Sequence, residues 1–154
     1  ITGPSGSGKS TLLQKRLAQF QGFFAGFRTV KVPCGESFSV HMLSVDKREM
    51  PAEENFLFCR DEKRAYEQNA LRFNAIGCRL LENMEGVELI VMDELGSAES
   101  AAKAFQDHVL ALLDGDIPIL GVLQEGESAF QQQVATHPNV ALIYVTEENR
   151  DSLS

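Results

Sequence analysis

Apolar residues along this chain are spaced in two ways, and the two spacings alternate along most of its length. Three runs are too densely apolar for the edge of a sheet and predict buried strands at 87–92, 117–123 and 140–145. Three other segments carry apolar residues at helical spacing and predict helices at 61–85, 97–113 and 128–134. Strands that alternate with helices form parallel β-α-β units. The pattern therefore predicts an α/β fold, with a mainly parallel sheet flanked by helices.

One region follows a different pattern, which is typical of antiparallel strands. Residues 28–32 and, less strictly, 37–43 alternate between polar and apolar side chains, and the turn-forming residues 33–36 lie between them. This arrangement predicts a β-hairpin that extends the parallel sheet, with a short third strand at 56–59. The polar segment 47–55 contains a proline, which predicts an exposed and mobile loop.

Composition limits the possible functions before any motif is considered. The 154 residues include 14 Lys+Arg and 22 Asp+Glu, a net charge of −8, which argues against general electrostatic binding to nucleic acid or anionic lipid. The length predicts one domain over residues 1–154, and Ile1 and Thr2 resemble the end of a first strand that begins upstream. Three cysteines without metal-ligand spacing predict free thiols and a cytoplasmic location. No apolar run approaches the length of a membrane span.

A glycine-rich motif follows the first strand and carries the clearest chemical signal in the chain. Eight residues match the phosphate-binding pattern G-x-x-x-x-G-K-[ST], the Walker A motif: Gly3, Pro4, Ser5, Gly6, Ser7, Gly8, Lys9 and Ser10. Glycines allow successive backbone N–H groups to point at one phosphate, and a helix starting near Lys9 directs its positive end to the same place. In such a loop the lysine contacts the β- and γ-phosphates, and the Ser10 hydroxyl binds Mg²⁺. Together with Thr11, the motif predicts a nucleotide-binding loop.

Two carboxylates, Asp93 and Glu94, end the strand predicted at 87–92. The carboxyl ends of parallel strands are where α/β folds bind their ligands. Beside a phosphate loop, Asp93 is predicted to hold Mg²⁺ in the manner of a Walker B motif, and Glu94 to activate a water for attack on the γ-phosphate. The predicted catalytic residues are therefore Lys9 and Glu94, and the predicted metal ligands are Ser10 and Asp93.

Four segments, taken in order, carry a family resemblance: the phosphate-loop opening at 1–12, Gly-Phe-Arg-Thr at 26–29, Asp-Glu-Leu-Gly at 93–96 with Glu99, and Thr-Glu-Glu-Asn-Arg at 146–150. They resemble the nucleoside-triphosphatase family that includes thermophilic bacterial and archaeal enzymes and the animal cancer-related nucleoside-triphosphatase. The matching family patterns are Gly-Phe-Tyr-Thr, Asp-Glu-Ile-Gly-x-Met-Glu and an Asn-Arg segment after the last strand. Arg28, Ala98 and the segment 47–65 depart from the family pattern.

The resemblance implies a fold similar to the RecA-like phosphate-loop ATPases. It also implies Mg²⁺-dependent hydrolysis of ATP, GTP and other nucleoside triphosphates to diphosphates, with little base preference. In this sequence it would make Glu94 the base and Asp93 the Mg²⁺ partner. The departures affect the choice of substrate more than the reaction.

Further residues have two interpretations each. Asn149 and Arg150 follow the last predicted strand and are predicted to bind the nucleotide base, Asn149 by hydrogen bonds and Arg150 by stacking; the alternative for Arg150 is a surface position. Gln124 ends the strand 117–123, where it could sense the γ-phosphate or orient water, or simply begin an exposed loop. Three arginines are candidates for an arginine finger or are solvated side chains: Arg28, Arg60 and Arg64.

Two other functions use the same phosphate loop. A nucleotide or small-molecule kinase would need a pocket for a second substrate, and the stretch 47–64 contains five basic residues that could form its lid. A nucleotide-gated binding module would hydrolyse slowly and expose its bound state to a partner. The Asp93–Glu94 pair favours water as the acceptor, and hence the hydrolase. The sequence predicts neither the physiological substrate nor the oligomeric state.

Overall fold

The computed structural model describes residues 1–59, 66–96 and 101–153 of the chain. Six strands form one sheet: β1 (Thr2–Gly3), β2 (Phe24–Cys34), β3 (Ser37–Ser44), β4 (Phe56–Cys59), β5 (Leu89–Leu95) and β6 (Ile119–Gln124). The helices are α1 (Lys9–Ala18), α2 (Tyr66–Arg72), α3 (Cys78–Leu80), α4 (Lys103–Asp114), α5 (Ala129–Ala135) and α6 (Arg150–Leu153). A π-helical turn at Phe73–Gly77 joins α2 to α3, and a 3₁₀ turn at Glu53–Asn55 precedes β4.

The sheet is parallel on one side and antiparallel on the other, as the sequence predicts. Its strand order is β1-β6-β5-β2-β3-β4, with β1, β6, β5 and β2 parallel and the pairs β2–β3 and β3–β4 antiparallel. β6 therefore lies between β1, which leads into the phosphate loop, and β5, which carries Asp93 and Glu94. Three parallel strands thus bring the two motifs to the same edge of the sheet.

Both faces of the central strands are covered, which explains why their apolar runs are so dense. On one face, Leu12 and Leu13 of α1 pack with Val91 and Val122. On the other face, α4 and the helical segment 66–80 enclose a larger core around Phe27, Phe73, Met92 and Phe105. The Phe27 and Phe105 rings meet edge to face, with centroids 5.6 Å apart. Adjacent β5 residues alternate between the two cores, as strand geometry requires.

Several predicted boundaries are wrong. The helix predicted to end at residue 85 ends at Leu80, and Asn83 turns the chain with a φ of 54°. Residues 101 and 102, predicted to be helical, precede α4, which begins at Lys103; the start predicted at Ser97 lies outside the described residues. Residues 140–145 form no ladder: Tyr144 makes one parallel bridge to Thr2, because β1 offers only two residues for pairing.

The segment 47–55 is only partly the exposed loop that the sequence predicts. Lys47 and Arg48 are exposed, but Asn55 is buried and holds the segment against β3. Its amide oxygen accepts the Ala52 N–H and the His41 Nδ1–H, both at 2.8 Å, and its amide nitrogen donates to the Met50 carbonyl at 2.9 Å. Asn55 therefore satisfies backbone groups that an unanchored loop would leave to water.

The three cysteines are free, as predicted. In the part of the chain that the structure describes, no helix combines the length and the apolar character needed to cross a membrane.

Replacing Asn55 by alanine should lower the free energy of unfolding by about 2–3 kcal/mol, because buried hydrogen-bond partners would lose their bonds. Urea denaturation followed by circular dichroism measures this change. Glu54→Ala is the matched control, since Glu54 is an exposed residue of the same turn. Equal stabilities for the two variants would contradict the anchoring role of Asn55.

Candidate active site

The phosphate loop joins β1 to α1 and has the backbone that its glycines predict. Gly6 and Gly8 have φ values of 78° and 99°, and α1 begins directly after Gly8, at Lys9. Such a conformation turns backbone N–H groups inward at the positive end of the helix. The Lys9 side chain is buried and donates to the carbonyls of Gly3 and Pro4 at 2.9 and 2.8 Å. These two bonds hold the ammonium group against the loop.

Ser10 and Asp93 meet although 83 positions separate them in the chain. The Ser10 hydroxyl donates to Asp93 Oδ1 at 2.9 Å, across the site and close to the phosphate loop. Burial raises the pKa of the Asp93 carboxyl above its usual value; the Ser10 hydrogen bond opposes this rise, Glu94 adds to it, and Arg28 opposes it. A buried carboxylate that is costly to ionise is well suited to a cation.

Glu94 lies beside Asp93 and contacts a residue of the next strand. The pairing of β5 with β6 shifts register between Asp93 and Leu95, so Glu94 lies outside the regular ladder. Gln124, at the end of β6, donates from its amide nitrogen to Glu94 Oε1. One of the two carboxylate oxygens thus has a fixed hydrogen-bond donor.

A cleft of about 780 Å³ brings the predicted residues together. The loop contributes Gly3, Ser5, Gly6, Gly8, Lys9, Ser10 and Thr11, and the strands contribute Asp93 and Glu94. Pro4 is exposed and Ser7 is buried, and neither lines the cleft. A separate cavity of about 350 Å³ near Ile1 and Ile143 is lined mainly by apolar side chains and contains none of the catalytic candidates.

The cleft also contains residues that the sequence argument did not assign to it. Thr29 and Lys31 of β2 line it, together with Gln124 and Glu125 at the end of β6. The Lys31 ammonium lies 5.0 Å from the centre of the Phe38 ring on the neighbouring strand. Thr29 and Lys31 are two residues apart on a strand and so share a face. Only the parallel pairing of β2 with β5 shows that this end of β2 lies beside the carboxylates.

Arg150 lies beside the phosphate loop, whereas the side chain of Asn149 is engaged elsewhere. Arg150 shares a hollow of about 230 Å³ with Gly8, Thr11 and Lys15. The Asn149 amide accepts from the Thr146 N–H at 2.8 Å and donates to the Tyr144 carbonyl at 3.0 Å. Both ends of that amide therefore shape the turn that delivers Arg150.

Arg28, a candidate finger arginine within the described residues, lies near the site. Arg28 pairs with Asp93 across β2 and β5, and its charge helps to lower the pKa of that carboxyl. Arg60 and Arg64 lie outside the described residues, as do Ala98 and Glu99 of the family pattern.

Comparison with known proteins places this geometry in a family. The sequence model of the NTPase family matches residues 1–154. The nucleoside-triphosphatase THEP1 of Methanosarcina barkeri is 31% identical over 160 residues, which cover 99% of this chain and 90% of that protein. THEP1 of Thermotoga maritima is 28% identical over 157 residues, which cover 99% of this chain and 88% of that protein. The crystal structure of THEP1 from Aquifex aeolicus shares the fold, with a TM-score of 0.72 at 20% identity over 98% of this chain and 91% of that one.

Asp93→Asn should stabilise the nucleotide-free protein at pH 7. The pKa of Asp93 is raised in the folded state, so its ionisation opposes folding, and stability falls as the pH rises through the window between the unfolded and folded values. The destabilisation grows as the pH rises above the ordinary aspartate pKa of about 3.9, and below that pKa the difference from the neutral amide disappears.

Chemical denaturation at both ends of this pH range measures the effect, with the exposed Asp116→Asn as control. An Asp93→Asn protein less stable than the wild type at pH 7 would show that the carboxylate contributes to the fold.

Proposed function

This chain belongs to the NTPase family, and we propose that it is a Mg²⁺-dependent enzyme that hydrolyses nucleoside triphosphates, including ATP and GTP, to diphosphate and phosphate. The contact of Ser10 with Asp93 is the observation that carries the proposal. It places a hydroxyl of the phosphate loop and a carboxylate of β5 at one point, with Lys9 and Glu94 lining the same cleft. Those four groups are what phosphoryl transfer to water requires.

The oxygens of Ser10 and Asp93 suit a magnesium ion. They lie 2.9 Å apart, close to the spacing of about 3.0 Å between neighbouring ligands of an octahedron with bonds of about 2.1 Å. Among the described residues, no group of three His, Cys, Asp or Glu side chains is arranged to hold a metal ion. Two protein oxygens with phosphates and water are the usual set for Mg²⁺ in nucleotide sites. When bound, the ion would neutralise charge on the phosphates.

The residues of the chain supply the remaining steps. The loop amides and Lys9 bind the β- and γ-phosphates and stabilise the charge that develops on them. Glu94 accepts a proton from water while the water oxygen bonds to the γ-phosphorus and the bond from that phosphorus to the bridging oxygen breaks. The nucleoside diphosphate leaves with the bridging oxygen, and the proton passes from Glu94 to the phosphate or to solvent.

The Asp93–Glu94 pair favours water as the acceptor, and the position of Lys47 gives no support to a lid over the cleft. Of the five basic residues between 47 and 64, Arg60, Lys63 and Arg64 lie outside the described residues. Lys47 lies with Phe24, Arg79 and Val87, at the edge of the sheet where β2 and β5 begin. The cleft lies where β5 ends and beside the middle of β2, about 13 Å further along β5 at roughly 3.3 Å per residue from Leu89 to Asp93. Phosphate release measured with and without candidate acceptors tests the kinase alternative.

Three further assignments rest on the packing of the sheet, the net charge and the cysteines. We propose that residues 1–154 form one domain, because both core clusters share the single sheet. The net charge of −8 supports a protein that does not bind nucleic acid generally, and the free thiols suit a reducing compartment.

Glu94→Gln should lower the rate of phosphate release by roughly 10²- to 10⁴-fold while nucleotide binding is retained, because the amide keeps the shape and loses the proton acceptor. Malachite-green assay of released phosphate and calorimetry with a non-hydrolysable ATP analogue measure the two quantities. Glu125→Gln is the matched control, since Glu125 lines the same cleft. Turnover within a factor of about two of the wild type would remove Glu94 from the mechanism and leave a different base or a binding module.

Arg150→Ala should raise the KM for ATP and for GTP to a similar extent, by roughly 5- to 100-fold, if its guanidinium stacks on the base; such stacking tolerates any base. The wild-type catalytic efficiencies for ATP and GTP should then agree within about tenfold. Arg79→Ala, at the opposite edge of the sheet, should leave both values unchanged. A loss confined to one nucleotide would indicate a dedicated base pocket.

A further inference from the structure

Gln124 contacts both halves of the site, the phosphate loop and Glu94. Its backbone pairs with Gly3, the first residue of the phosphate loop, in the parallel ladder of β1 and β6. Its side chain crosses to β5 and donates to the Glu94 carboxylate. Gln124 of β6 thus lies between the phosphate loop and Glu94. Its backbone is in register with the loop, and its side chain is hydrogen-bonded to Glu94.

The backbone of Gln124 is fixed from the side of α5. Its carbonyl accepts from the Gln131 amide nitrogen at 2.9 Å, and Gln131 is itself buried. The Gln131 amide oxygen accepts from the Ser128 hydroxyl at 2.8 Å, and the Gln131 N–H donates to that hydroxyl, so Ser128 caps the helix. A buried amide, hydrogen-bonded through both its oxygen and its nitrogen, therefore anchors the position from which the Gln124 side chain extends.

The Gln124 side chain also fits against the backbone that follows Glu94. A Cβ on Gly96 would overlap the amide oxygen of Gln124, so the glycine makes room for this amide. No left-handed φ accompanies that glycine, and the requirement comes from the neighbouring amide alone. The amide oxygen lies against Gly96 and the amide nitrogen points to Glu94, so the orientation of the amide is determined on both sides.

We propose that Gln124 positions Glu94, the catalytic base. This inference rests on the proposed role of Glu94. Its N–H holds one carboxylate oxygen, which fixes the side-chain torsions of Glu94 and leaves the second oxygen for the attacking water. A base displaced by about 1 Å can lose on the order of 10²-fold in rate, so one hydrogen bond of this kind is enough to matter. Because β6 is also in register with the phosphate loop, Gln124 sets the base relative to the bound phosphates.

Gln124→Ala should lower kcat by about 10- to 100-fold and leave KM within about twofold, because Gln124 orients Glu94 and does not bind the nucleotide. Gln124→Met keeps the length of the side chain without a donor and should be equally slow. Recovery in the methionine variant would show that Gln124 only fills space. Gln133→Ala, an exposed glutamine of α5, is the control and should match the wild type.

Gly96→Ala tests the same proposal without altering Gln124. The added methyl group must displace the flexible amide of Gln124, and the backbone at Gly96 has no left-handed φ to disturb. We expect a kcat deficit like that of Gln124→Ala, with thermal unfolding close to the wild type. The double variant Gly96→Ala, Gln124→Ala should be no slower than either single variant, because both changes remove the same hydrogen bond, from Gln124 to Glu94.

Combination with Glu94→Gln separates this inference from the function on which it rests. In single-turnover measurements, Gln124→Ala should change the rate of a Glu94→Gln enzyme by less than about twofold, whereas an independent role would multiply the two losses. If Glu94→Gln keeps wild-type turnover, the proposed base is wrong. Two results would show that the positioning role of Gln124 is wrong while Glu94 remains the catalytic base. In both, Glu94→Gln is slow. In one, Gln124→Ala is as fast as the wild type; in the other, the losses from Gln124→Ala and Glu94→Gln multiply.

Discussion

The hydrogen bond between Ser10 and Asp93 depends on the order of the parallel strands, and the whole site follows from that order. Ser10 follows β1 and Asp93 lies in β5, yet the two strands are not neighbours, because β6 pairs with both. The contact forms only if all three strands run in the same direction and end at the same edge. Packing on both faces maintains this arrangement: α1 covers Val91 and Val122, and Phe105 covers Phe27 and Met92.

The same arrangement concentrates charges in a way that opposes folding. Asp93, Glu94 and Glu125 line one cleft, and among the described residues that line it the cations are Lys9 and Lys31. Lys9 is held by two loop carbonyls, so the buried Asp93 relies on the Ser10 hydroxyl and the charge of Arg28 for stabilisation. Groups held in an environment that does not suit their charge are typical of functional sites, where a ligand supplies the missing countercharge. Here a cation and a polyphosphate would complete the electrostatics.

Much of this architecture could be predicted from local patterns. Dense apolar runs identified β5 and β6, and the two-residue alternation at 28–32 and 37–43 identified the hairpin of β2 and β3. The spacing Gly-x-x-x-x-Gly-Lys-Ser identified the loop, because that backbone conformation needs glycines at fixed positions. Helix boundaries were less accurate. The end of the helix at Leu80 follows from packing and from the turn at Asn83, not from Gly86, which is the stronger local signal.

The sequence by itself therefore determined the phosphate loop, the carboxylate pair, the fold class and the family resemblance, since each depends on residues close together in the chain. Tertiary structure decided which distant residues share the cleft. Nothing local indicates that Thr29 and Lys31 lie beside Asp93, or that the Gln124 amide meets Glu94 thirty positions earlier in the chain. Nor does local sequence show that Asn149 uses its amide on the Thr146–Asn149 turn while Arg150 lies beside Gly8. The physical reason is that strand order and register fix these neighbours, and both are set by the packing of the whole sheet.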